Sequence, residues 1–200
     1  MSVRCLKRDL SAKKEVKIGQ QVWMVENLNV DKFRNGDPIP EAKTNEEWEK
    51  AADYHQAAWC YYNNDPYNGT KYGKLYNWYA VNDPRGLAPE GWHIPSDQEW
   101  TDLTVYLGGE AQAGAKMKSK GGWSYGGNGT NSSGFNAFPG GERIFGRFTD
   151  IVSLGFWWSS TEYFEAEAWY RLLDSENGYV YTGNRFKEMG FSVRCLRDSR

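Results

Sequence analysis

Two stretches of the chain carry apolar residues at helical spacing behind a start signal. Trp100, Leu103, Thr104 and Leu107 fall at i, i+3, i+4 and i+7 and share one face of a helix. Ser96-Asp97-Gln98-Glu99 stands before them as a capping box, in which the serine hydroxyl accepts from an amide three residues on and the glutamate reaches back. Gly108-Gly109 supplies the left-handed residue that ends the run, so a helix over 97–107 is predicted. Thr44-Asn45-Glu46-Glu47 is a second box and predicts a helix to about residue 58, with Trp48, Ala51 and Ala52 inward. Residues 17–24 (KIGQQVWM) have strand character, with Gly19 at a turn or bulge and Trp23 facing a core, and Asn35-Gly36-Asp37-Pro38 then breaks the pattern. Asn63-Asn64-Asp65-Pro66 and Asn68-Gly69 are turn chemistry, and 72–80 (YGKLYNWYA) is a buried aromatic segment whose periodicity leaves helix and strand both open. From 121 to 141 the Gly, Asn and Ser content predicts a long loop plugged into the core by Trp123, Phe135 and Phe138.

The most informative pattern lies between 156 and 195. Its flanks, 156–161 (FWWSST) and 190–195 (GFSVRC), read as core strands, and Trp157, Trp158 and Phe191 are assigned to the core. Between them the side chains sustain neither a period of 2 nor one of 3.6. Aromatics that obey no burial period are candidates for contact with a partner. Tyrosine and tryptophan bring large amphipathic area at low rotamer cost, and here they are mixed with acids and amides. The candidate ligand-contact residues are Tyr163, Phe164, Glu165, Glu167, Trp169, Leu172, Asp174, Glu176, Asn177, Tyr179, Tyr181, Asn184 and Phe186. The alternative is that these rings fill the interior of an aromatic-rich fold.

Composition narrows the function class. With 200 residues and 40% hydrophobic content, the chain can bury one sizeable core, and abundant Gly, Trp and Tyr with sparse Leu suit a loop-rich α+β fold. A net charge of −2 argues against nucleic acid, whose backbone demands a Lys/Arg excess, and no ~20-residue apolar run could insert in a membrane. Met1 leads directly into SVRCLKRDLSAKKE without the charged start and apolar core of a secretion signal, so the chain is either cytoplasmic as made or a fragment. Ser2 to Asp9 (SVRCLKRD) nearly repeats Ser192 to Asp198 (SVRCLRD), which marks 1–16 as an extension left from a preceding copy and 17–200 as the domain. On that view Cys5 is a leftover.

Catalytic signatures are weak. Gly122-Trp123-Ser124-Tyr125-Gly126 matches the nucleophile-elbow string but lacks the apolar strand before it and the helix after it, so it is read as a loop. His55 and His93 are the two histidines and form no metal or triad pattern, so a hydrogen-bonding or core role is expected for them. No catalytic residue, metal or cofactor is expected.

Seven blocks in order carry a family resemblance: WMVENL (23–28), WCYYNNDP (59–66), YGKLYNWYAV (72–81), LAPEGWHIPSDQEW (87–100), NSSGFNAFPGG (131–141), WWSSTE (157–162) and GFSVRCLRD (190–198). Together they resemble the Fibrobacter succinogenes major paralogous domain. The resemblance implies a C-type-lectin-like fold, in the branch shared with formylglycine-generating enzymes: α+β, with two helices, small antiparallel sheets and long irregular loops. Similar domains serve as variable proteins of diversity-generating retroelements, whose scaffold stays constant while codons near the carboxyl terminus are rewritten. Trp157, Trp158, Ser159, Ser160, Ala168, Tyr170, Arg171, Leu173, Val180 and 190–195 match the constant part. The implied function is a non-enzymatic binding domain at a bacterial cell surface or on a phage tail. It would grip a protein or a carbohydrate through the candidate residues, with no nucleic-acid partner. The alternatives are a structural module of a tandem surface protein and, more weakly, an oxidase using paired cysteines. The block preceding Gly91-Trp92-His93 holds Ala88 where many relatives have cysteine, which makes a Cys60–Cys195 disulfide the pairing to test. The calcium-binding lectin signature does not occur in this chain.

Overall fold

The computed structural model describes residues 14–199, so the echo at Ser2 to Asp9 and Cys5 lie outside the described residues. The chain opens with a hairpin, β1 (Glu15–Ile18) and β2 (Gln21–Met24), whose turn falls at Gly19 as expected, so the strand-like 17–24 stretch is divided between two paired strands. Helix α1 (Asn45–Asp53) forms behind the predicted box, with Thr44 Oγ1 accepting from Glu47 N at 3.1 Å and Glu47 Oε2 accepting from Thr44 N at 3.0 Å. It buries Trp48, Ala51 and Ala52 but stops five residues early, because His55 adopts a left-handed φ of 51° that a helix cannot continue through.

The turn-like stretch beyond α1 is more helical than its composition suggests. After β3 (Trp59–Cys60), Asp65 caps α2 (Pro66–Tyr72), accepting from Tyr67 N at 2.9 Å, and Pro66 takes the first helical position, where its missing N–H costs nothing. Asn68-Gly69 therefore sits inside a helix and not in a turn. The ambiguous 72–80 segment divides three ways: the end of α2, then β4 (Leu75–Tyr76), then α3 (Trp78–Val81).

Strand β5 (Trp92–His93) leads to α4 (Asp97–Tyr106), whose Ser96 and Glu99 form the second predicted box. Gly108, at φ 103°, closes the helix in the region only glycine occupies readily, and α5 (Glu110–Met117) comes directly after it. The described residues thus hold five α-helices where two were expected, the additional ones being short or set among turn residues. The α+β class stands. The expected 121–141 loop is present up to residue 139, where β6 follows, with Trp123 and Phe135 buried and Phe138 half-buried.

The remainder forms a curled half-barrel sheet. Its strands are β6 (Gly140–Ile144), β7 (Arg147–Ile151), β8 (Leu154–Phe164), β9 (Glu167–Asp174) and β10 (Val180–Phe186), in the order β10-β9-β8-β6-β7. A last short strand, β11 (Leu196–Arg197), joins β2 and β5 in a second sheet. The 190–195 segment is extended and buried but is not a regular strand. It is held by isolated bridges, Arg143 to Gly190, Tyr76 to Phe191 and Trp157 to Ser192.

Buried cations do in this fold what ladders do elsewhere. Irregular backbone leaves carbonyls that must find donors, and Arg194 supplies them to Met24 O (3.0 Å), Val25 O (2.9 Å) and Phe135 O (2.6 Å) while it lies over the Phe135 ring. Arg143 does the same for Ala42 O and Thr44 O, and Lys118 for Asp174 O and Asn177 O. No helix among the described residues is long and apolar enough to cross a membrane.

Candidate functional site

Strand β8 is held on both faces, and that rigidity sets the geometry of everything beyond it. Successive side chains point to opposite faces of a strand. Phe156 and Trp158 enter one core cluster with Tyr170 and Phe191, whereas Trp157 enters another with Leu173, Val180, Trp100 and Phe135. Three buried indole N–H groups here find acceptors: Trp157 donates to Asn27 Oδ1 (2.9 Å), Trp158 to Tyr76 O (2.9 Å) and Trp78 to Ser159 O (2.8 Å). Strand β9 is tied to α4 by Arg171, almost wholly buried, which donates to Asp97 Oδ1 (2.5 Å), Asp97 O (2.9 Å) and Thr101 Oγ1 (3.0 Å).

On this frame none of the candidate contact residues is buried. Tyr163, Phe164, Tyr179, Tyr181 and Phe186 are all exposed, Phe164 most of all at 73%, while Glu165 and Glu176 project at the two loop tips. The segment is nevertheless regular, contrary to the reading from periodicity. Along β9 burial alternates from Glu167 to Tyr170 and again from Arg171 to Asp174, with the covered side changing between Tyr170 and Arg171. Trp169 and Leu172 on the wetter sides, together with that change of side, disguise the alternation.

The register divides the candidates into two patches. Phe164, Glu167 and Phe186 face one another across three strands, Asn184 opposes Trp169, and the Tyr163 ring meets Trp169 edge-on at 4.7 Å. The second patch lies on the opposite face of the sheet, where Leu172 opposes Tyr181. Tyr179 stacks on Tyr181 at 5.8 Å, and Asn177 Nδ2 donates to Tyr181 Oη at 2.9 Å. Asp174 and Asn177 also hold the β9–β10 loop, accepting from Glu176 N and Tyr179 N, so part of their role is structural. A single continuous face made of all the candidates is not what the fold provides.

Three residues beside the candidates escaped the sequence reading. Glu142 on β6 is 7% exposed, and its Oε2 has no hydrogen-bond partner. Burial, helped by the charge of Asp150 and opposed by Arg185, pushes its carboxyl up to about 7. Arg185 on β10 lies over the Tyr170 ring at 5.9 Å. Lys118 supports the β9–β10 loop from below through its bonds to Asp174 O and Asn177 O. A lone acid in the run PGGERIFG carries no motif, and only its neighbours across the sheet give it meaning.

The other sequence candidates settle plainly. Ser124 and Tyr125 lie in a loop, with Tyr125 at φ 53° and exposed to solvent, as expected for a string that is not an elbow. His55 stacks on Tyr79, and His93 bridges Glu99 Oε1 (2.9 Å) and Asp198 Oδ1 (2.8 Å). Cys60 and Cys195 lie in different core clusters and no disulfide joins them, which corrects the suggested pairing. Burial pushes the Cys60 thiol up to about 12. Among the described residues no three His, Cys, Asp or Glu side chains converge as a metal site would require. Hollows of about 540 Å³ beside Arg34, His93 and Glu99 and of about 310 Å³ beside Asn27, Lys71 and Phe138 are lined by none of the candidate aromatics.

Comparison with known proteins agrees with the seven sequence blocks. The Fibrobacter succinogenes major domain model matches residues 16–197, and the chain belongs to that family. No curated protein and no solved structure matches it.

Proposed function

We propose that this Fibrobacter succinogenes major domain is a non-enzymatic ligand-binding module that recognises a protein or glycan through the outward side chains of β8, β9 and β10. The observation that carries the reading is the concentration of exposed rings, Tyr163, Phe164, Tyr179, Tyr181 and Phe186, on or beside strands anchored in the core by buried tryptophans. Exposed aromatics on a rigid frame give contact area at a low ordering cost on binding. That none of the candidate positions is buried while Trp157, Trp158, Ala168, Tyr170, Arg171, Leu173 and Val180 are also supports the narrower reading, a C-type-lectin-like scaffold whose unburied positions a retroelement could rewrite without touching the core. A binding role in preference to an oxidase is supported by the buried Cys60, which holds little thiolate with which to handle a metal. Display at a cell surface or on a phage tail belongs to the same proposal.

The test is a binding survey of the domain against protein and glycan arrays, repeated with Phe164→Ala/Phe186→Ala and Tyr179→Ala/Tyr181→Ala variants. The reading expects at least one double variant to lose the wild-type binding while the melting temperature changes little. No binding by the wild type, or a large fall in melting temperature in both variants, would instead favour a structural module of a surface protein.

A further inference from the structure

Glu142, Tyr170 and Arg185 form a polar group on the face of the half-barrel that also carries Leu172 and Tyr181. The register assigns them there: Gly141 pairs with Gly155, so Glu142 shares the face of Phe156, which opposes Leu172, which opposes Tyr181. Arg185 pairs with Ala168 and lies over the Tyr170 ring. Within the group one buried oxygen is left unsatisfied by the protein itself, while Arg185 is exposed to solvent. Glu142 Oε2 is sealed without a partner, and among the described residues Arg185 forms no ion pair and the Tyr170 hydroxyl no hydrogen bond. Gly183 keeps the place open for that hydroxyl, since a Cβ there would stand 2.8 Å from Tyr170 Oη.

Unpaired buried polar atoms are costly and call for an account. The ligand that would satisfy this set can be deduced from its charges. An ammonium drawn to Glu142 meets Arg185, and a carboxylate drawn to Arg185 meets Glu142 and Asp150. A neutral hydroxyl both donates and accepts, so adjacent hydroxyls can give to the carboxylate while taking from the guanidinium and the phenol. Beside them Tyr181, stacked on Tyr179, offers a flat apolar surface of the kind that packs against the C–H face of a sugar ring. We propose that Glu142, Tyr170 and Arg185 are the polar floor of a binding site for a neutral saccharide, with Leu172 and Tyr181 as its apolar wall.

The inference rests on the binding role proposed for the domain and narrows it to one ligand class and one of the two patches. It is tested on an array of neutral, uronic or sialylated, and amino-sugar glycans, followed by calorimetric titration of the strongest neutral binder at pH 8. Glu142→Gln and Arg185→Met should each weaken that binding at least tenfold without lowering the melting temperature, and Tyr181→Ala should weaken it likewise. Preference for charged glycans, or neutral-glycan binding that survives Glu142→Gln, overturns the inference. Glycan binding lost in Phe164→Ala/Phe186→Ala but kept in Glu142→Gln removes this site and leaves the binding role standing. A wild type that binds only proteins has the same consequence, and one that binds nothing removes both.

Discussion

Replacing Glu142 with glutamine should stabilise the domain, and by an amount that depends on pH. In the folded state burial, with a smaller contribution from Asp150 and against the pull of Arg185, moves the carboxyl from 4.5 to about 7. The native protein therefore binds this proton more tightly than the unfolded chain does. For a carboxyl shifted upward, stability is fully present below the unfolded value and falls as pH rises through the folded one. At about 1.4 kcal/mol per tenfold change in proton affinity, the difference is on the order of 3 kcal/mol, lost between roughly pH 4.5 and pH 7. Glutamine keeps the shape and never ionises. Urea unfolding of wild type and Glu142→Gln should give nearly equal stabilities at about pH 4.5 and a variant more stable by up to about 3 kcal/mol at about pH 8.5. Other titrating groups cancel in the difference. A variant that is equally shifted at both pH values, or less stable at the higher one, refutes the placement of Glu142 as a buried acid without a partner. A gain in stability joined to a loss of saccharide binding would be the familiar opposition between stability and a functional site.

Phe164→Ala should cost less than about 1 kcal/mol, since a ring that is 73% exposed has little burial to lose, whereas Trp158→Ala, at 0% exposed, should cost about 3–5 kcal/mol. Urea midpoints of the two variants check this, and similar losses in both would mean that the exposed ring is a core residue. Burial works against protonation of His93, but Glu99 and Asp198 outweigh it and raise its pKa. The stabilisation is then fully present below the ordinary histidine range and is lost as pH rises through the raised value, so His93→Asn should be destabilising at pH 5 and much less so at pH 9. A melting-temperature difference that is flat with pH would contradict the bridge. Removing the buried Arg171 side chain with Arg171→Ala should cost about 3 kcal/mol and loosen the start of α4 next to Asp97, seen as faster amide exchange there. Unchanged exchange in α4 would show that the tether contributes nothing.

Both capped helices are legible in the sequence. A capping box is a local device: Thr44 and Glu47, or Ser96 and Glu99, satisfy one another within four residues, and an inward stripe such as Trp100, Leu103 and Thr104 needs only the helical period to declare itself. Turn residues proved less reliable. Asn68-Gly69 lies within α2 because Asp65 and Pro66 start a helix that local propensity alone would not favour. The α1 helix ends at Asp53 for a reason residing in a single backbone angle at His55.

The sheet shows where local reading stops. Alternation identifies a strand only when one side is apolar and the other polar along its whole length. In β9 Tyr170 and Leu173 are buried on opposite sides, and Trp169 and Leu172 put large apolar groups on the wetter ones. The same composition that concealed the strands is what suggested a binding surface. The split of the candidates into two patches, and the company of Glu142, Tyr170 and Arg185, derive from strand order and register. Those bring together residues more than forty positions apart through contacts that no spacing in the chain encodes.

The family, the α+β class, the capped helices and the stretch whose rings stay in water can be read from residues alone, because each rests on motifs or side-chain chemistry within a short window. Which residues share a face, which acid is sealed without a partner and which hydroxyl has room were decided by the tertiary structure alone. Burial and charge at a point depend on everything packed around it, and that neighbourhood exists only once the chain has folded.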